Sequence, residues 1–103
     1  MSTDKKNLGN AQLRLLKVIE ALSGHEVFGL RLRDVAIAVN AGDPTVLRDL
    51  QTLAAGGWAR QDDASKWRLG QKPVQIATNF AWGLTQAKQA VSETEQRYTR
   101  TPT

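Results

Sequence analysis

The segment from residue 30 to residue 70 limits the possible folds of this chain more than any other part of the sequence. Apolar residues recur at helical spacing over residues 31–40 and again over residues 43–55, with only a short polar turn between them. The second stretch opens on Asp43 and Pro44. An Asp suits the N-cap, and a Pro suits the first helical position, where its missing N–H has no partner to lose. The spacing therefore predicts two helices joined by a tight turn.

A short hairpin is predicted directly after the second of these helices. A glycine pair ends the helix, and two extended runs follow at residues 58–62 and 66–69, separated by polar turn residues. In the second run Trp67 is expected to face the core, while Lys66 and Arg68 face the solvent. Helix, turn, helix and hairpin in this order predict a winged helix-turn-helix.

Another helix is predicted before this segment, over residues 10–22. Its apolar stripe consists of Leu15, Leu16, Ile19 and Leu22. The connection leading to Leu30 suits a short strand. We therefore predict a mainly α fold with a small β-hairpin, in which residues 10–71 form the winged helix-turn-helix domain. Residues 1–9 are predicted to be a flexible tail. Its Lys5 and Lys6 are candidates either for phosphate contacts or for a solvated tail without a partner.

A long C-terminal helix is predicted over residues 72–98, followed by a flexible tail at residues 99–103. Apolar residues recur in it at alternating spacings of three and four: Ala77, Phe80, Leu84, Ala87 and Val91. This spacing is typical of a coiled-coil seam. We therefore expect the helix to be a dimerisation element, with these five side chains in the dimer interface.

Composition excludes several classes of function. The chain has no cysteine, which excludes disulfides, thiolate catalysis and thiolate metal sites. The single histidine, His25, has no companion ligand, and no catalytic constellation or phosphate-binding glycine loop is present, so we expect no metal, no cofactor and no enzyme activity. No apolar run is long enough to span a membrane and no signal peptide precedes the helices, so a cytoplasmic protein is expected.

The net charge of +4 is compatible with an anionic partner, but the excess does not lie in the central segment. From Arg31 to Arg68 the sequence has six basic and five acidic residues. Charge alone therefore does not identify a partner.

The helix over residues 43–55 has an apolar face and a polar face on a helical wheel. The apolar face carries Val46, Leu50 and Leu53, and the polar face with its flanks carries Thr45, Arg48, Asp49, Gln51 and Thr52. An arginine can bind guanine and a glutamine can bind adenine in the major groove, and threonines can bind phosphate. Asp49 opposes this interpretation, because a carboxylate repels phosphate. The polar face is therefore a candidate DNA-reading surface, although any amphipathic helix has a solvated face.

The hairpin supplies a second candidate DNA contact. Its basic residues Arg60, Lys66 and Arg68 are placed to reach the DNA backbone or the minor groove. The neighbouring Asp62 and Asp63 would oppose that contact unless they point away.

In these elements the sequence resembles the N-terminal DNA-binding domain of IclR-type transcriptional regulators. The resemblance covers about residues 10–80, and its last matching stretch ends in WRLG, close to the aromatic-Arg-Leu-Gly wing strand of that family. The matching stretches are RLLKVIEAL (14–22), LRDVAIAV (32–39), PTVLRDLQTL (44–53), GGWARQDD (56–63) and KWRLG (66–70).

The resemblance implies binding of double-stranded DNA through the third helix and the wing, usually as a dimer on a palindromic site. It implies DNA contacts for Thr45 and Arg48, and a role in dimerisation for the helix after the wing. Arg31 departs from the family, which often has a Ser or Thr cap there. The effector-binding domain that normally follows has no counterpart up to Thr103, so we expect no small-molecule effector on this chain.

We therefore expect a homodimeric, sequence-specific DNA-binding protein that regulates transcription, as a repressor rather than an activator. The alternative is a winged helix used as a protein–protein interaction module, such as an anti-repressor or an assembly factor. The near-balanced charge of the central segment and Asp49 favour this alternative. Salt-dependent DNA binding separates the two hypotheses.

Overall fold

The computed structural model describes residues 8–99 and contains, within them, four helices and one β-hairpin. The elements in chain order are α1 (Asn10–Leu22), α2 (Leu32–Val39), α3 (Asp43–Ala55), β1 (Ala59–Gln61), β2 (Trp67–Leu69) and α4 (Gln71–Thr99). The predicted mainly α fold with a small hairpin is confirmed. Two compact units are present, one ending at Pro73 and one beginning at Val74. Lys5 and Lys6, the basic residues of the predicted N-terminal tail, lie outside the described residues.

The core of the first unit is built from α1, α2, α3 and the hairpin. Its buried side chains are Val18, Leu22, Val35, Ala36, Val46, Leu50, Leu53, Ala59 and Trp67. Full burial of each large apolar side chain stabilises the fold by about 1.5–3 kcal/mol. The predicted stripe of α1 is wrong at Leu16, which is 55% exposed, whereas Val18 is completely buried. The packed face of α1 follows positions i, i+3, i+4 and i+7 from Leu15, and Leu16 falls off that face.

The turn between α2 and α3 is tight because Asn40 adopts the left-handed conformation, with φ 54° and ψ 53°. Asparagine tolerates this conformation better than most residues. The N-cap of α3 is Gly42, so the prediction that Asp43 caps the helix is wrong. The Asp43 carboxylate instead accepts a hydrogen bond from Arg33 Nη1 at 3.1 Å. This contact joins α2 to the first turn of α3.

The hairpin is antiparallel, with Ala59 opposite Leu69, Arg60 opposite Arg68 and Gln61 opposite Trp67. Leu30 adds a third, single-residue strand on the other side of β2. Its backbone N–H donates to the Trp67 carbonyl at 2.9 Å, and the Trp67 N–H donates back at 2.7 Å. The short strand expected before α2 is therefore this one bridge, and it ties the hairpin to the α1–α2 connection.

Two glycines are required where α3 passes into the hairpin. Gly57 has a φ of 81°, a region that favours glycine. A Cβ at Gly70 would overlap the carbonyl group of Gly57. The Lys72 N–H donates to that same carbonyl at 3.0 Å, and the Gly70 N–H donates to the Trp58 carbonyl at 2.9 Å. The end of β2 therefore packs closely on the end of α3.

None of the residues of α4 is buried. The large apolar residues exposed on it include Phe80, Leu84 and Val91. Within residues 8–99, no helix has both the length and the apolar character needed to cross a membrane.

Candidate nucleic-acid interface

The outward face of α3 consists of the polar residues that the helical wheel predicts. Val46, Leu50 and Leu53 anchor the helix in the core, which leaves the opposite face to the solvent. The exposed polar residues on that side are Thr45, Arg48, Gln51 and Thr52. The Thr52 hydroxyl donates to the Arg48 carbonyl at 2.8 Å, so it is held against its own helix. The face therefore presents one cation, one amide and two hydroxyls on a rigid support.

Asp49 does not belong to this face, and its prediction as a DNA-facing residue is wrong. Only 7% of Asp49 is exposed. Its Oδ2 accepts a hydrogen bond from Arg14 Nε at 2.6 Å, and its Oδ1 accepts one from Arg14 Nη2 at 3.1 Å. The carboxylate turns inward because α1 supplies a guanidinium fork that matches both oxygens.

The Arg14–Asp49 pair joins α1 to α3 through charged groups on the rim of the core. Hydrogen bonding to Asp49 raises the pKa of Arg14 above its usual value, against the opposing effect of desolvation. The Arg14 guanidinium is therefore held in its charged form beside the carboxylate. Their two-point geometry fixes the rotation of α3 about its own axis as well as its distance from α1. Arg48, the residue before Asp49 in α3, is exposed.

Arg68 was predicted to face DNA from the wing, and the structure places its guanidinium elsewhere. Its Nε donates to the Glu26 carbonyl at 2.9 Å and its Nη2 donates to the Val27 carbonyl at 3.0 Å. Its Nη1 donates to Asp62 Oδ2 in an ion pair. Only 13% of the Arg68 side chain remains exposed. Arg68 therefore fastens the hairpin to the α1–α2 connection, which leaves little of its guanidinium for the predicted phosphate contact.

Asp62 organises the turn of the hairpin. The ion pair with Arg68 and the backbone N–H of Lys66 lower the pKa of Asp62 to about 2, with a smaller contribution from the N–H of Ala64. Those N–H groups donate to Asp62 Oδ1 at 3.0 Å from Lys66 and 2.9 Å from Ala64. Both carboxylate oxygens are therefore engaged within the chain. Asp62 therefore repels a phosphate less than the sequence predicts, because Arg68 neutralises its charge.

Arg60 lies on the outward face of the hairpin. It pairs with Arg68 across the strands, on the side opposite the buried Ala59 and Trp67. Arg60 is exposed and Lys66 is half-buried beside Gly29. Neither takes part in an ion pair among residues 8–99. Two of the three predicted basic wing residues therefore remain available for an anion.

Some charged residues of the central segment form ion pairs within the chain, and others do not. Asp43, Asp49 and Asp62 each bind an arginine of the same chain. Asp34 accepts a hydrogen bond at 3.2 Å from the backbone N–H of Arg31, the N-cap residue of α2. The basic residues of the segment that form no ion pair within the described chain are Arg31, Arg48, Arg60 and Lys66.

Sequence reasoning missed Arg14 as a residue that positions the site. Arg14 lies in α1, and its partner Asp49 is 35 residues later. The only sequence signal is an acidic residue on the edge of an otherwise apolar helix face, which requires a basic partner from another element. The backbone carbonyls of residues 26 and 27, which hold Arg68, have no sequence signal.

The predicted seam of α4 belongs to the second unit. Phe80 is 69% exposed, Leu84 is 47% exposed and Val91 is 58% exposed. Ala77 and Ala87 are also exposed. These five residues therefore form a continuous apolar stripe with no cover within the described chain.

A family model supports this structural interpretation. Residues 13–63 match the model described as the IclR helix-turn-helix domain. The matched range begins in α1 and ends in the hairpin turn, so it includes all of α2 and α3. A comparison with curated proteins finds no match.

Proposed function

Residues 13–63 belong to the IclR helix-turn-helix family, whose members are DNA-binding transcription regulators, and on that premise we propose that this protein binds double-stranded DNA sequence-specifically. We propose that it does so with α3 in the major groove and the hairpin on the DNA backbone or in the minor groove. Bound at a promoter, it would exclude other proteins and thereby repress transcription.

The pairing of the acidic residues is the observation that supports this proposal most strongly. A face that carried Asp49 beside Arg48 would repel phosphate, but the Asp49 carboxylate is bound to Arg14 at 2.6 Å. With three of the acidic residues paired inside the chain, the exposed basic residues of α3 and the hairpin are available to phosphate and base edges. The nearly neutral composition therefore does not count against a DNA partner.

The chemistry of the outward α3 face fits base reading. Arg48 has a planar fork that can donate two hydrogen bonds to guanine O6 and N7. Gln51 can bind adenine N6 and N7, and Thr45 lies in the first turn, where the helix N–H groups also attract phosphate. Arg60 and Lys66 would contribute phosphate contacts that hold the register without reading sequence.

We also propose that the protein acts as a homodimer formed through the α4 seam. A two-fold dimer would place two copies of α3 in successive major grooves, about 34 Å apart, on a palindromic site. The exposed apolar stripe of α4 supports this proposal, because soluble proteins rarely expose contiguous apolar surface without a partner.

Selection of binding sites from a random double-stranded DNA library tests the proposal. We expect the wild-type chain to enrich one palindromic sequence and to bind it with an affinity that falls steeply with salt. A variant with Arg48→Ala and Arg60→Ala, which leaves every observed ion pair intact, should enrich nothing. If the wild-type chain enriches no sequence and shows no salt-dependent DNA binding, the proposal is wrong.

One observation favours a protein-interaction module as a second candidate function. Val27 and Phe28, adjacent in the α1–α2 connection, are each 77% exposed. Arg68 holds the carbonyl of Val27, so the pair is presented on a fixed loop rather than a mobile one. Substitution of both by Ser should leave DNA binding unchanged if they serve a protein partner, and should reduce it if the loop contacts DNA.

A further inference from the structure

The exposed stripe of α4 is uneven, and its shape determines how a second copy can pack on it. The side chains at Phe80, Leu84 and Val91 are large, whereas those at Ala77 and Ala87 are small. Between Leu84 and Val91 the surface has a shallow depression of about 300 Å³. Its lining includes Leu84, Ala87, Lys88 and Val91. These positions, i, i+3, i+4 and i+7, are the four that surround a side chain from a facing helix in a coiled coil.

A parallel, in-register pair of α4 helices would fill this depression poorly. In that arrangement each seam residue meets its own copy, so the small side chain of the partner's Ala87 would enter the depression around Ala87. At the same time Phe80 would meet the partner's Phe80. Small residues would therefore meet small ones and large residues large ones, which leaves voids at some levels and crowding at others.

An antiparallel pair distributes the side-chain sizes more evenly along the seam. In this arrangement the positions of Ala77, Leu84 and Val91 in one helix meet the positions of Phe80 and Ala87 and their equivalents in the other. The partner's Leu84 can therefore enter the depression around Ala87. We infer that two copies of this chain pair through antiparallel α4 helices, with Leu84 of each packed over Ala87 of the other. The inference rests on the proposed homodimer and adds its direction and register.

This register fixes the remaining contacts of the seam. Phe80 lies opposite the partner's Val91, and Ala77 lies opposite the partner's Thr94. Every large seam residue from Phe80 to Val91 then faces a residue of different size. A shift by one heptad would bring the partner's Val91 into the depression, but it would shorten the overlap of the two helices by one heptad. The register with Leu84 over Ala87 therefore fills the depression with the longest overlap.

The absence of native cysteine makes disulfide trapping a clean test of this register. We would prepare Ala77→Cys, Thr94→Cys and the double variant with both substitutions, all of which are small changes on an exposed helix. In the antiparallel pair Ala77 is separated from the partner's Ala77 by about 25 Å along the helix axis, at 1.5 Å per residue. A disulfide needs Cα atoms within about 7 Å. The two positions within one straight helix are equally far apart, so no disulfide can close inside one chain.

After mild oxidation, the expected result is a shift of the double variant to a covalent dimer on a non-reducing gel, while each single variant remains a monomer. Covalent dimers of both single variants would overturn the antiparallel direction, because like positions meet only in a parallel pair. Sedimentation of the wild-type chain distinguishes an error in this register from an error in the proposed homodimer. A dimer in solution without a covalent dimer of the double variant contradicts this register alone, whereas a monomer contradicts the proposed homodimer as well.

Discussion

Arg14 in α1 and Asp49 in α3 form a two-point ion pair, with Nε–Oδ2 and Nη2–Oδ1 distances of 2.6 and 3.1 Å. The pair connects the first helix to the proposed DNA-reading helix across 35 residues of sequence. The Asp49 side chain is 9% exposed and the Arg14 side chain 28% exposed. An ion pair of this kind acts on the position of α3, since two hydrogen bonds in one plane permit little rotation of the helix.

The Arg14–Asp49 pair should therefore contribute more to stability than the exposed pair Arg33–Asp43. We predict that a double-mutant cycle with Arg14→Met and Asp49→Leu gives the larger coupling energy. The control cycle on Arg33 and Asp43, whose side chains are 72% and 39% exposed, should give about 0.2–1 kcal/mol. Urea unfolding of the four variants in each cycle measures both energies. Equal coupling in the two cycles would show that Asp49 is not a positioning residue.

Arg48→Ala should remove discrimination at one base pair of the selected site. We expect the binding free energy to weaken by about 1–3 kcal/mol on that sequence, because a base contact is lost. On random DNA the loss should be much smaller, because only one positive charge near the phosphates is removed. Lys17→Ala removes an exposed charge from α1 and serves as the control, with equal effects on both DNAs. Unchanged discrimination by the Arg48 variant would exclude Arg48 as a base reader.

Arg60→Ala and Lys66→Ala should each weaken binding to all sequences alike. Loss of one phosphate contact reduces the slope of log K against log salt by about 0.9. Titrations of the same DNA at several salt concentrations measure this slope. Arg68→Ala provides the contrast. Because its guanidinium is bound within the chain, its loss should lower the melting temperature, which the other two substitutions should not do. A slope that stays at the wild-type value would mean that the substituted residue does not touch phosphate.

Asp62 should make stability depend on pH on the acid side. Its pKa is about 2 in the folded chain and 3.8 as an ordinary value, so between these pH values the unfolded chain binds a proton that the folded chain does not. The contribution of Asp62 is therefore complete above pH 3.8 and is lost as the pH falls through 2. Asp62→Asn should lower stability at neutral pH and flatten the decline in acid, whereas Asp63→Asn should do neither. Denaturant unfolding across this pH range measures the difference, and parallel curves for wild type and Asp62→Asn would refute it.

Leu84→Asp should convert the proposed homodimer to monomers. A carboxylate in the seam would be buried against the apolar stripe of the other copy, which is costly without a partner charge. Gln89→Asp places the same charge on the opposite side of α4 and should leave the dimer intact. Sedimentation velocity distinguishes the species, and a Leu84→Asp variant that remains dimeric would remove Leu84 from the interface.

Local sequence signals were sufficient for the order of elements and for the outward face of α3. Pro44 and the pair Gly56–Gly57 bound that helix, and a 100° wheel separates Thr45 and Arg48 from the buried leucines. These features depend on residues within a few positions of one another, so a single sequence contains the information.

The errors occurred where a side chain is bound by a distant part of the chain. The wheel placed Asp49 at the edge of the polar face, and only Arg14, on another helix, draws it inward. Strand alternation correctly turns Arg68 away from the Trp67 side, but two backbone carbonyls of the α1–α2 connection accept its hydrogen bonds there. Periodicity within one element cannot indicate what packs on it.

The bridge between Leu30 and Trp67, together with the three-way binding of Arg68, also affects the entropy of recognition. An isolated two-stranded hairpin of this length is at most marginally stable in water. Here its backbone loses its conformational freedom when the first unit folds, because a third strand and a guanidinium already hold it. A ligand that meets this hairpin finds it ordered, so association carries a smaller ordering cost and more of the contact energy appears as affinity.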